Sequence, residues 1–168
     1  MSDGALSPWT ATGGDDFDDL YDHCFATVVA VLRLLGADEA TAEDCAERAF
    51  AEVVVRWRTV RDPVAHVHRA ALRLHRRAEM RSQIVRSARR PFRAPVETGM
   101  RVRTAAEAVL ADLPFRTRAC AVLTWYAGCS PALTARILRR RRSSVDRHLD
   151  RARRSFGVPE LDQHPTRA

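Results

Sequence analysis

The sequence contains no lysine: all 28 basic side chains are arginine. Guanidinium groups offer planar, bidentate forks to phosphates and guanines, so an all-Arg surface suits nucleic acid, although a GC-rich coding bias yields the same excess without selection for binding. Aromatic residues make up only 7% of the chain, and the abundance of Ala, Val and Leu then points to thin helix-on-helix packing. No stretch approaches the ~18 apolar residues that span a bilayer, and Met1 to Gly14 lacks a basic start followed by an apolar run. The expected location is therefore the cytoplasm, with no membrane partner. Cys24, Cys45, Cys120 and Cys129 form no C-x-x-C pair and lie in or beside apolar stretches, as reduced core thiols do. Gly-rich phosphate loops and recognisable Ser-His-Asp or Cys-His frameworks are also missing, so neither enzymatic chemistry nor a cofactor is expected. His66, His68 and His75 cluster in sequence, but at about 100° per helical residue the first two point roughly 200° apart, and no metal site is expected.

What is present is strongly asymmetric in charge. Residues 1–50 hold eleven Asp or Glu against two Arg, whereas the rest of the chain holds 26 Arg against ten acids. The front suits a basic protein surface and the remainder a polyanion. Residues 1–14 carry no periodic pattern and are expected to be disordered. From Phe17 through Leu20, Tyr21, Cys24, Val28, Val31, Leu32 and Leu35, apolar residues recur at three- and four-residue steps, and Gly36 stands where a left-handed C-cap is wanted. Asp38 is placed to cap a second helix with Ala42, Cys45, Ala46, Ala49, Phe50, Val53 and Val54 on its apolar face, ending near Trp57. Asp62-Pro63 opens a third, with Val64, Val67, Ala70, Ala71 and Leu74 buried and a polar side dense in Arg.

Residues 87–100 read as a Pro- and Arg-rich linker. Beyond it, 101–157 holds an amphipathic helix from Val102 to Leu113, another after Pro114, and a break at Gly128. Ser130-Pro131 and Ser143 then start two short helices separated by Arg139, Arg140, Arg141 and Arg142, which is the layout of a helix-turn-helix. Residues 158–168 form a frayed tail. The expected fold is all-α: two small helical domains, 15–86 and 101–157, joined by a flexible linker.

These residues resemble the sigma-70 family of RNA polymerase sigma factors, in particular the two-domain extracytoplasmic function type and its actinobacterial members. The likeness is carried by Phe17-x-x-Leu20-Tyr21, Ala42-Glu43-Asp44 followed by Phe50, Leu113-Pro114-x-x-x-Arg118, and Val145-x-x-x-Leu149-x-Arg151-Ala152-Arg153. It implies a first module like sigma region 2, a three- or four-helix bundle that captures and helps melt the minus-ten element, and a second like region 4 that reads the minus-thirty-five element. It also implies core RNA polymerase as partner, through the β′ clamp helices and the β flap, together with promoter DNA and an anti-sigma factor. Glu43, Asp44, Glu47 and Phe50 would meet polymerase. Trp57, Arg58 and Arg61 would lie where the family holds a flipped base, a task that aromatic and Arg faces suit by stacking; for Trp57, closing the core at a helix end is the favoured alternative. Arg69, Arg73, Arg76, Arg77 and Arg81 complete the DNA-facing set of the first module.

In the second module, turning Val145, Leu149 and Ala152 inward sends Ser144, Arg147 and Arg151 outward, and Arg147 and Arg151 become the expected base readers. Arg139 to Arg142 are the expected phosphate contacts, and Ser143, Ser144 and Arg154 belong to the same DNA-binding set. Several positions depart from the family. Asp146 stands where Lys is usual and reads as an acid near a helix N-terminus, with Ser143 as the start of that helix. Leu133 replaces a common Glu, Arg48 replaces an acid, and His66, Arg73 and Arg77 stand where Trp, Asn and Asp are frequent. These departures motivate the alternative of a degenerate, sigma-like helix-turn-helix regulator that binds DNA without recruiting polymerase.

Overall fold

The computed structural model describes residues 17–88 and 104–157. The expectations for the N-terminal segment 1–14, for Val102, for most of the linker and for the tail after 157 lie outside the described residues. Helices α1 (Phe17–Leu34), α2 (Glu39–Val55) and α3 (Pro63–Ala88) are followed by α4 (Ala105–Asp112), α5 (Phe115–Ala121), α6 (Pro131–Leu138) and α7 (Arg142–Ser155), with no strand among the described residues.

The ends of these helices follow from local chemistry. Gly36 at φ 105° closes α1 as a Schellman motif, with Ala37 N donating to Leu32 O and Gly36 N to Arg33 O, both at 3.0 Å. Asp38 caps α2 by accepting from Thr41 N at 2.8 Å, and Asp62 caps α3 by accepting from Ala65 N at 3.0 Å. The Thr41 hydrogen bonds hold the Asp38 carboxyl below the usual carboxylate range. A capping box starts α4, with Thr104 Oγ1 accepting from Glu107 N and the Glu107 carboxylate accepting from Thr104 N. After α5 the chain widens into one π-type turn, Val122–Tyr126, which leaves Trp125 and Tyr126 exposed.

Packing joins the two helical sets. A hydrophobic cluster runs from Leu20, Val28 and Leu32 through Phe50 and Val67 to Leu123, Cys129, Leu133 and Ile137. The linker composition leaves both docking and separation open, and the described helices are docked, α3 lying against α6. Two polar contacts reinforce this seam. Arg69 Nη2 donates to the carbonyl of Arg136 at 2.9 Å, and the Arg136 guanidinium pairs with Asp62 at 3.1 Å.

One cap differs from expectation. Helix α7 begins at Arg142, its N-cap Arg141 makes no side-chain cap, and Ser143 lies inside the first turn. Asp146 therefore does not complete a capping box with Ser143; it faces Arg142 one turn back at 3.8 Å.

Candidate nucleic-acid interface

The second helix pair is built from its caps inward. Ser130 Oγ accepts from Leu133 N at 3.1 Å and Pro131 takes the first helical position, so α6 starts sharply. Leu133 is 4% exposed, and a glutamate there would carry its charge into the core. Helix α6 ends on Arg139 at φ 51°, among the described residues the only non-glycine with positive φ. Arg140 N to Ala135 O and Arg139 N to Arg136 O close a second Schellman motif, with arginine where glycine is usual.

This turn sets the angle at which α7 leaves. Val145, Leu149 and Ala152 are buried, as their spacing requires, against Leu113, Cys120 and Ala121. Arg147, Arg151 and Arg154 are exposed and Ser144 is half-buried. Arg139, Arg140, Arg141, Arg142 and Ser143 are all exposed, and most of them line a concave surface with Arg136, Ser144 and Arg147. Five arginines around one turn, with no acid lining that concavity, make a local field that attracts an anion. Sequence reasoning passed over one neighbour. His148 lies between Arg147 and Leu149, and its Nδ1 is 3.0 Å from the Oγ1 of the fully buried Thr117.

In the first module, Glu43, Asp44 and Glu47 are exposed on α2. Arg48 pairs with Asp44 at 3.3 Å, which gives the unusual arginine a role on its own helix. Phe50 requires a correction: it is 1% exposed, so its side chain cannot meet polymerase. It belongs instead to an aromatic cluster with Tyr21, Phe25 and Phe17 at 5.0, 5.8 and 6.2 Å. Trp57 is partly buried and packs edge-on against Phe17 at 5.7 Å, which favours the core-closing reading of this residue.

Of the arginines expected on the DNA side of α3 and its preceding loop, Arg58, Arg61, Arg73, Arg76, Arg77 and Arg81 are exposed and Arg69 is half-buried. Three of them also have partners within the protein. Arg69 binds the end of α6, Arg73 bonds Glu52 at 2.6 Å, and the Arg76 guanidinium lies 5.4 Å from the centroid of the Phe115 ring. Behind them His68 and His75 are buried; burial lowers both, His68 to about 4. The four cysteines are free thiols, and burial pushes Cys24 and Cys120 up to about 11 and Cys129 to about 12, which leaves them protonated. Among the described residues no three side chains gather as a metal site, and no helix is long and apolar enough to cross a membrane.

The architecture is an all-α, helix-turn-helix-bearing fold with its arginine-rich face outward. It is the fold of solved sigma-factor structures. The chain superposes on the sigma factor RpoE, solved in complex with the anti-sigma factor NepR from Bartonella quintana, with a TM-score of 0.68 and 16% identity over 89% of this chain and 99% of that one. It also superposes on CnrH, solved in complex with the cytosolic domain of CnrY, with a TM-score of 0.62 and 20% identity over 90% and 92%. No family model and no curated protein matches the sequence.

Proposed function

We propose that this chain is a non-enzymatic, cytoplasmic sigma factor of the extracytoplasmic function type. It binds core RNA polymerase and directs promoter-specific initiation, the first module serving the minus-ten element and the second the minus-thirty-five element. The observation that carries this reading is the recognition helix α7. Its apolar stripe is fully buried, its Arg147 and Arg151 are exposed one turn apart, and an arginine turn precedes it. A helix so oriented places base-reading side chains in a major groove and flanks them with phosphate contacts.

The exposed Glu43, Asp44 and Glu47 on α2 supply the complementary surface for a basic partner such as the β′ clamp helices, and the exposed Trp125 and Tyr126 offer an apolar seat for a second contact such as the β flap. An anti-sigma factor is a further partner of this reading, because RpoE and CnrH were solved in complex with NepR and the cytosolic domain of CnrY. The test is reconstitution. Purified chain should co-elute with core polymerase and start transcripts at defined promoters, and a Glu43→Arg, Asp44→Arg variant should lose co-elution while keeping DNA binding.

A second reading is favoured by one specific observation. Arg69, Arg73 and Arg76, three of the arginines assigned to the first module's DNA surface, are engaged within the protein, and Trp57 packs on Phe17. A regulator that binds DNA through α7 alone would tolerate that. DNA binding without co-elution or promoter-specific transcription would establish it.

A further inference from the structure

We propose that His148 is a phosphate-binding residue of the DNA interface, positioned by the buried hydroxyl of Thr117, and that binding a duplex loads a proton onto its ring. The inference rests on the DNA-binding reading of α7 and adds a charge that appears only in the complex.

Position comes first. At about 100° per residue, His148 falls between the outward Ser144–Arg151 face and the buried Val145–Leu149–Ala152 stripe. A residue on that shoulder meets the wall of a groove, where phosphates run, and not its floor, where base edges lie. Thr117, on α5, is fully buried, and its Oγ1 stands 3.0 Å from His148 Nδ1. A hydroxyl both donates and accepts, so Thr117 can hold the neutral ring by donating to Nδ1 and the charged ring by accepting from Nδ1–H. In either state the ring is fixed and Nε2 is left for a ligand. The imidazole borders an open cleft between α3 and α7, so an approaching phosphate has a path to it.

Charge comes second. Arg116 of α5, Arg140 of the turn, and Arg147 and Arg151 of α7 all act on the ring, and Arg76 and Glu79 of α3 share its cleft. The Cys120 thiol behind it is held neutral by burial. Burial first, and then those four guanidinium groups, hold His148 below the usual imidazole range. Alone, the protein therefore keeps this ring neutral near neutral pH. A phosphodiester backbone laid across the same guanidinium groups cancels their field and adds a negative acceptor, so the ring binds a proton more tightly in the complex than in the free chain. The sign follows: affinity for DNA is highest at low pH and declines as pH rises through the value for the complex.

The experiment uses the full chain and a labelled mixed-sequence duplex, followed by fluorescence anisotropy at fixed ionic strength from about pH 5.5 to about pH 8. Wild type should lose affinity about three- to ten-fold over that range, the change produced when the ring binds its proton about three- to ten-fold more tightly in the complex than in the free chain. His148→Gln should bind weakly with that component of the pH dependence removed. His148→Arg should bind at high pH as tightly as wild type does at low pH. Thr117→Val, checked for folding by circular dichroism, should blunt the profile, and Thr117→Ser should restore it. Parallel profiles for wild type and His148→Gln would overturn the proposal while leaving DNA binding by α7 intact. Absence of duplex binding by wild type at every pH would instead overturn the reading on which it stands.

Discussion

Arg139 holds a backbone conformation that glycine would adopt at less cost. A left-handed conformation costs a residue with a Cβ about 1–2 kcal/mol, and glycine avoids most of that. Arg139 at φ 51° bears this strain in the turn that orients α7. Arg139→Gly should therefore raise the denaturation free energy by up to about 1 kcal/mol in urea titrations, since part of the gain is offset by the freer unfolded chain. The same variant should bind duplex DNA more weakly than wild type. A lower midpoint would show that the Arg139 side chain holds the turn. Phe50 carries the opposite lesson. Its type and place in a motif suggest a partner contact, yet its ring is in the core and its influence on any partner passes through the shape of α1 and α2.

At the scale of elements, the arginine turn and α7 act together as an electrostatic unit. Arg140 is exposed, and one phosphate contact contributes nearly one unit to the dependence of log affinity on log salt. Arg140→Ala should weaken binding to all duplexes alike and reduce that slope by about one unit in salt titrations. Arg151→Ala should instead flatten discrimination between sequences, at about 1–3 kcal/mol for a bidentate base contact. Equal losses at every sequence for Arg151→Ala would assign it to the backbone. The Asp146–Arg142 pair, at 3.8 Å with both side chains about half exposed, is worth little, and we expect no measurable stability change from Asp146→Ala.

The whole molecule is held by its apolar seam. The Arg136–Asp62 pair is 3.1 Å long, but Arg136 is largely exposed, so Arg136→Ala should cost no more than about 1 kcal/mol. Ile137 is 2% exposed within the cluster that joins both helical sets, and Ile137→Ala should cost about 2–5 kcal/mol in chemical denaturation. If the order were reversed, the docking would be electrostatic and salt-sensitive. Acid should act on the same body through His68. Burial lowers its folded value to about 4 from 6.5, so the neutral ring is favoured in the fold and the unfolded chain binds the proton first. Stability is full above about pH 6.5 and should fall by about 3 kcal/mol as pH drops toward about 4. His75, also depressed by burial, adds in the same direction. Urea titrations at several pH values check this, and His68→Leu should flatten the profile.

Helix positions, their caps at Asp38, Asp62 and Ser130, the C-cap at Gly36 and the buried stripe of α7 were all legible in the sequence, because each depends on residues within about one turn of each other. At α7 a serine followed by an acid three residues later satisfies the local capping rule and puts the expected N-cap at Ser143, whereas the chain enters the helix two residues sooner, with Arg141 as N-cap. The Thr117–His148 contact spans 31 residues, and the seam of Arg69 with Arg136 spans 67. No local spacing encodes such pairs. Periodicity determined which face of each helix turns inward, whereas only tertiary packing decided which inward faces meet, that Phe50 is enclosed, and that arginines of α3 serve the protein's own seam, since burial and long-range partners arise from helices brought together and not from neighbours along the chain.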